Sequence, residues 1–326
     1  MPDLATSITP KTQWPASLAD SPSIAVIEQS IQTGRLSHSL LLTGDDIETL
    51  SAVADCIADS MLNTHASSAY YPPAGHPDCF FLRPAGKMRQ IGAEATRGNL
   101  IAKVQVSPTV STRKVAIIRE CDRMHAAAAN IFLKTLEEPP ANTVLILTTT
   151  RPYSLLPTIR SRCLNFRFPG FTTAYSSGGW DAWLADYKAW LARLAGPMPE
   201  KRDATDSIFA VYGLVSRFAM ILEFATGEIW KKQKESLPPD ITADEQEAIE
   251  TGITNELRAR LFIEIERATR DFAMPAIVTE NPAAARALIE AIGRLEHVTG
   301  LLRLNLNETV ALENFLLASL RIWTAR

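Results

Sequence analysis

The chain has 326 residues, enough for about two or three domains. Apolar residues make up 46% and charged residues 21%, an ordinary balance for a folded globular protein that argues against a disordered or fibrous chain. The formal net charge of −3 gives no global attraction to nucleic acid, so any DNA contact must be local or shared with partner subunits.

Along the first half, strands and helices alternate. Ser21-Pro22 reads as a cap followed by proline at the first helical position. Ile24, Ile27 and Ile31 then recur at helical spacing, and Gly34 ends the run. Ser39 to Thr43 is a short apolar strand, Gly44-Asp45-Asp46 turns the chain, and Ile47 to Met61 carries the face of a second helix. A polar loop from Asn63 to Gly75 leads to a strand over Cys79 to Leu82 and a helix around Ala93 to Lys103. Val115 to Ile118, Val144 to Thr149 and Leu164 to Phe168 read as further strands. Between them, Ala126 to Glu138 is a helix stopped by Pro139-Pro140. This alternation predicts a largely parallel sheet covered on both faces.

After Pro169 strand signals vanish. Trp180, Trp183, Leu184, Tyr187, Leu191 and Leu194 follow helical spacing up to Gly196-Pro197, and the tryptophans at 180, 183 and 190 read as packing rather than a nucleic-acid stacking platform. Ile208 to Trp230 is a long helical run, broken by Pro238-Pro239. Thr242 and Glu245 fit a capping box. The helix that follows carries an apolar stripe through Leu257, Leu261, Ile265, Ala268 and Phe272, and two more helices cover 282–298 and 307–323. The expected organisation is α/β plus all-α, with a parallel-sheet domain over 1–168, a small helical lid over 169–204 and a C-terminal helical domain over 205–326.

No apolar run is expected to reach the roughly 20 residues that span a bilayer. The stretch from Met1 to Trp14 has no signal-peptide core, so a cytoplasmic protein without a membrane partner is expected. Cys56, Cys79, Cys121 and Cys163 are scattered, form no CxxC pair, and read as reduced, mostly buried thiols.

A helix start after the first strand of such a sheet is a natural phosphate site, because free backbone N–H groups and the helix dipole favour an anion there. The phosphate-cradling version needs a longer glycine-rich loop ending in Gly-Lys-Ser/Thr. Here Leu42 to Thr49 keeps only Gly44, lacks the lysine and is too short. Asp45 and Asp46 stand where phosphates would arrive, able to cap the helix themselves and to repel a triphosphate. The strand Val115 to Ile118 is followed by Arg119 at the position where a working enzyme keeps an aspartate for Mg²⁺. Glu120 follows where a water-activating acid would lie. With the metal position lost, a surface carboxylate paired with a neighbouring arginine is the better reading. Neither ATP nor Mg²⁺ is expected in this site.

The text Asp122-Arg123-Met124, then Ala129 to Pro140 with its run Leu133-Lys134-Thr135-Leu136-Glu137-Glu138-Pro139-Pro140, then Leu155 to Ile159 and Ser161-Arg162-Cys163, resembles the clamp-loader branch of the AAA+ proteins. Leu36-Ser37-His38 and His76-Pro77-Asp78 also look like that family. The resemblance implies a RecA-like AAA+ domain, a lid and a C-terminal helical collar. A lost phosphate loop with a retained Ser-Arg-Cys looks like the family's non-hydrolysing bacterial subunit, whereas ATP-hydrolysing gamma/tau subunits keep both motifs and delta subunits generally lack the second.

By the same resemblance, Arg162 points at ATP held by an adjacent gamma/tau subunit, and Ser161 and Cys163 set local backbone and packing. A guanidinium supplied in this way stabilises charge on the γ-phosphate oxygens, and its planar fork suits phosphate better than lysine does. The bland alternative is a surface arginine near a domain junction. The implied partners are gamma/tau and delta subunits in a hetero-pentameric ring, the sliding clamp beta, and primed DNA through the assembly. The competing functions are an ATP-hydrolysing gamma/tau-like motor and a delta-like clamp- or DNA-binding adaptor. The family usually carries a four-cysteine zinc module after the second helix, but the loop Asn63 to Gly75 has no cysteine. Cys56, His65, His76 and Cys79 form at best a makeshift set. His76 reads better as a hydrogen-bonder at the loop terminus and Cys79 as core. Lys87, Arg89, Arg97 and Lys103 cluster as candidate DNA contacts, although a solvated face is the simpler reading.

Overall fold

The computed structural model describes residues 11–63, 70–169, 178–196, 201–235, 237, 241–279, 281–302 and 307–325. His65 and the Pro238-Pro239 break lie outside the described residues. The chain divides into two compact units, one comprising 1–172 with 237–249, the other 173–236 with 250–326.

The first unit is built on five strands: β1 (Ser39–Gly44), β2 (Cys79–Leu82), β3 (Lys114–Ile118), β4 (Thr143–Thr149) and β5 (Leu164–Phe168). All pairings are parallel, in the order β2-β3-β4-β1-β5. Strands β1, β3 and β4 are buried at every residue, which explains their uninterrupted apolar text. Side-chain alternation divides them between two cores. Leu40, Leu42, Val115, Ile117, Val144 and Ile146 join Leu50, Val53 and Ile57 of helix α2 (Ile47–Asn63) and Ile24 and Ile27 of α1 (Pro22–Gln32). Leu41, Ala116, Ile118, Leu145 and Leu147 join Leu100 and Val104 and, across the same face, Phe132 and Leu136.

Leu100 and Val104 come from a helical stretch that starts as α3 (Ala93–Ala95), passes through a π-helical segment over Thr96–Ile101 and ends as α4 (Ala102–Gln105). Phe132 and Leu136 lie on α5 (Ala126–Glu137), which is followed by the short α6 (Pro157–Arg160). Because β4 and β5 flank β1, the chain crosses over β1 between them. The carboxyl end of β1 is therefore where sheets of this kind take ligands. Residues 237–249 of the same unit include the capping box: Glu245 N–H donates to Thr242 Oγ1 at 3.2 Å while Glu245 Oε2 accepts the Thr242 N–H at 3.0 Å. The Gly86 N–H donates to Asp244 O at 2.8 Å, fastening this segment to the loop after β2.

The second unit is helical: α7 (Trp180–Ala195), α8 (Lys201–Glu235), most of α9 (Ala243–Val278), α10 (Pro282–Leu302) and α11 (Glu308–Thr324). Trp180, Trp183, Tyr187 and Trp190 are fully buried and stack in sequence at 4.8, 5.5 and 6.1 Å. Their polar tips are satisfied internally, for example Trp183 Nε1–H on Leu214 O at 2.8 Å, so the stripe is core. α9 runs through Pro275 to Val278 as a single helix, beyond the apolar stripe that ends at Phe272. One sequence expectation needs correcting. The expectation about apolar runs fails for α8: over Thr205–Glu235 it is long and apolar enough, by length and composition, to cross a membrane. Ser216, Arg217 and Glu223 interrupt the run when residues are counted one by one, but the average stays apolar. Its apolar residues occupy two sides, Val211, Leu214, Phe218 and Leu222 buried, Phe209, Tyr212, Met220 and Phe224 exposed.

Candidate nucleotide corner and exposed arginine

Asp46 caps α2 with its own carboxylate. Oδ1 accepts the Glu48 N–H at 3.2 Å and Oδ2 accepts the Thr49 N–H at 3.1 Å, with the Thr49 hydroxyl also donating to Oδ2. Two of the backbone donors a phosphate would use are thus already bound to an internal anion. Asp45, beside it, is exposed. Gly44 has a packing reason to be glycine: a Cβ there would lie 2.5 Å from Phe168 O and 3.2 Å from Leu50 Cδ2. The close approach of β1 to β5 accounts for the glycine without reference to phosphate.

Arg119 follows β3, and its Nη2 lies 3.0 Å from both carboxylate oxygens of Asp55 on α2, with the guanidinium 5.6 Å from the Phe81 ring centre. Asp55 lies about 12 Å along α2 from its start at ~1.5 Å per residue, so the cation is drawn down the helix rather than held at its tip. Glu120 has left-handed backbone (φ 49°, ψ 54°) and forms an ion pair with Arg89, itself at φ 50°. Arg123 Nε adds a second contact to Glu120 at 3.6 Å. The side chains of Arg89 and Glu120 are only 9% and 20% exposed. Arg89 is therefore removed from the candidate DNA contacts: it is a buried counter-ion, while Lys87, Arg97 and Lys103 are exposed. Nothing local in the sequence announces this pair, whose members are 31 residues apart.

Ser161-Arg162-Cys163 forms the turn between α6 and β5. Ser161 Oγ–H and Arg162 Nη1–H both donate to Thr158 O, at 3.1 and 3.0 Å, satisfying a carbonyl left open at the helix end. Arg162 Nη2 meets Glu137 Oε1, in the last turn of α5, at 2.6 Å. The two side chains are 36% and 50% exposed. Cys163 packs half-buried against the cluster that contains Cys121, Leu155 and Ile159. Burial pushes its thiol up to about 11, so it is a neutral packing group near pH 7. The motif's three side chains thus divide their work among the helix end, the solvent and the core. Glu137 lies within the run Leu133 to Pro140, yet its bond to Arg162 is invisible without the fold.

The histidine and cysteines near the second helix are engaged elsewhere. Cys56 Sγ donates to Gln13 O at 3.2 Å, and burial, reinforced by Asp55 and Asp59, pushes its thiol up to about 12. His76 Nδ1 accepts the Asp78 N–H at 3.0 Å, and burial lowers its pKa despite nearby Asp78 and Asp59. Cys79 is buried. Among the described residues no group of three or more His, Cys, Asp or Glu could hold a metal ion. The ends of this region are tied by Asp59, whose carboxylate accepts the backbone N–H groups of Lys11 and Thr12 at 2.8 and 2.7 Å and the Asn63 side chain at 2.7 Å.

Residues 20–172 match the family described as DNA polymerase III, delta subunit. The chain is 39% identical over 94 residues to DNA polymerase III subunit delta' of Pseudomonas aeruginosa, 29% of this chain and 28% of that protein. It is 35% identical over 152 residues to subunit delta' of Escherichia coli strain K12, covering 44% and 45% of the two. Over a shorter stretch of 71 residues it is 45% identical to DNA polymerase III subunit tau of Bacillus subtilis strain 168, covering 22% and 13%. The chain spans less than half the length of these relatives.

Proposed function

We propose, from the match of residues 20–172 to the DNA polymerase III delta family and the identity to delta' subunits, that the chain is a delta-prime-type subunit of a clamp loader and the non-hydrolysing stator of that assembly. In this reading it binds no ATP or Mg²⁺ and carries no zinc. It supplies Arg162 in trans to ATP on a neighbouring gamma/tau subunit and helps place the sliding clamp on primed DNA. It works in the cytoplasm, with gamma/tau and delta subunits in a hetero-pentameric ring and no membrane contact. It is not an ATPase by itself but part of the polymerase holoenzyme.

One observation carries the reading: the chain's own phosphate corner is filled by Asp46, while Arg162 stands half-exposed on a turn. The lid over 169–204 and the collar over 205–326 are part of the same proposal. The exposed side of α8, with Phe209, Tyr212, Met220 and Phe224, supports a collar because a stripe of large apolar groups suits burial against other helices. Reconstitution with gamma/tau and delta partners tests the finger. Arg162→Ala is expected to abolish DNA-stimulated hydrolysis at the site it faces, and intact ATPase and clamp loading would sink the idea. The identity to tau is the observation that favours a hydrolysing motor. Micromolar binding of a fluorescent ATP analogue to the isolated chain would establish the motor and overturn the stator.

A further inference from the structure

Glu137 occupies a place that helix electrostatics disfavours. It lies in the last turn of α5, where the helix dipole presents negative charge and a cation is the stabilising choice. Glu138 follows it, so the helix ends on two adjacent carboxylates. Glu137 is nevertheless bonded, Oε1 lying 2.6 Å from Arg162 Nη2. The second anchor of the same guanidinium is Thr158 O, 3.0 Å from Nη1, within Arg162's own turn. Both contacts are internal to this chain, so the fork is folded back onto α5.

The exposure of this pair distinguishes it from the buried ones. An ion pair as open to water as this one is weak, and many such pairs are worth almost nothing. A triphosphate offers a guanidinium more negative charge and several acceptor oxygens in a geometry its fork matches. The phosphate therefore wins the exchange, and the carboxylate delays it only slightly. Arg89–Glu120, by contrast, is too buried to exchange.

We propose that Glu137 is the parking partner of Arg162: it holds the guanidinium on α5 in the unassembled chain and yields it to the γ-phosphate of a neighbour's nucleotide on assembly. The proposal rests on the trans-acting role of Arg162 given above and adds how that group is held in reserve. Glu137 is a positioning residue that acts only through Arg162. Its carboxylate also masks a cation that would otherwise attract unrelated phosphates, nucleic acid included.

The experiment is a double-mutant cycle in the reconstituted complex with ATP-hydrolysing gamma/tau and delta subunits, reading kcat/KM for ATP. Glu137→Gln removes the competing charge and raises kcat/KM by about two- to fivefold, the most that a surface pair can withhold. In the Arg162→Ala background the same substitution changes nothing. A fall in kcat/KM, or no change, overturns the parking role while leaving the finger intact. An equal rise in the Arg162→Ala background also overturns it, because Glu137 would then act without the arginine. If Arg162→Ala alone leaves ATPase unaltered, both the finger and the parking role fall. Thermal melting of the Glu137→Gln chain is expected at or slightly above that of the parent, since the α5 terminus loses an unfavourable charge; a large drop would assign Glu137 to folding and overturn the proposal.

Discussion

The corner at the end of β1 and the turn that carries Arg162 both hold charged side chains, but these are satisfied in different ways. At the corner, Asp46 is bound by the N–H groups of its own helix, Arg119 by Asp55, and Glu120 by Arg89 and Arg123. Each is half or more buried, so breaking its contacts exposes an uncompensated group in a poorly solvated place. At the turn, Arg162 is paired with the Glu137 carboxylate, and both groups face water. The first set of charges is committed to holding the domain together; the second remains available for exchange. In the proposed reading, the positions that would meet phosphate and metal serve as internal ties.

Five substitutions would break or sharpen this contrast. Arg162→Ala should lower hydrolysis at the neighbouring site by about 10³-fold or more, the usual worth of a donated arginine, and leave chain stability nearly unchanged. Arg162→Lys should rescue little, because an ammonium lacks the planar fork. Comparable loss of stability in the Arg162→Ala chain would erase the distinction between the two regions. Glu120→Gln should destabilise the chain by about 3 kcal/mol in chemical denaturation, since it leaves Arg89 buried without a counter-charge. A cost below ~0.5 kcal/mol would mean that Arg89 finds water and that the pair is a surface one.

Gly44→Ala should cost about 1–3 kcal/mol, from the contact between the added methyl and the Phe168 carbonyl. If it is neutral, the glycine is a relic of phosphate binding rather than a packing requirement. Asp46→Ala should cost about 1 kcal/mol as a lost helix cap, with no gain in binding of a nucleotide analogue measured by fluorescence anisotropy. Nucleotide binding restored by this one change would show that the carboxylate alone had closed the site.

How much of this was legible depended on how local each signal is. Strands β2 and β5 could be bounded to the residue: β2 is a short apolar run, and β5 alternates exposed Asn165 and Arg167 with buried Phe166 and Phe168. The capping box at Thr242 and Glu245 was readable because its two members stand three residues apart. The absence of a Gly-Lys-Ser/Thr signature between Leu42 and Thr49 is likewise written in consecutive residues. What escaped was pairing at a distance. Arg119 and Asp55 are 64 residues apart, and Arg89 resembled the exposed cations around it until the fold brought it to Glu120. The length of α8 and α9 escaped for another reason: an apolar stripe marks the packed part of a helix, whereas the ends continue as far as propensity and capping allow.

The segment 237–249 makes the sheet unit discontinuous along the chain, because it is fastened to the loop after β2 by the Gly86–Asp244 hydrogen bond and by Lys87–Glu247 at 3.7 Å. A gene fragment that stops at Phe168 would therefore omit a strap of its own domain, stitched on from more than sixty residues downstream. Excision, fusion and domain exchange in this protein have to carry two separate stretches of sequence, and an insertion tolerated at the surface of one stretch still has to preserve the register of the other.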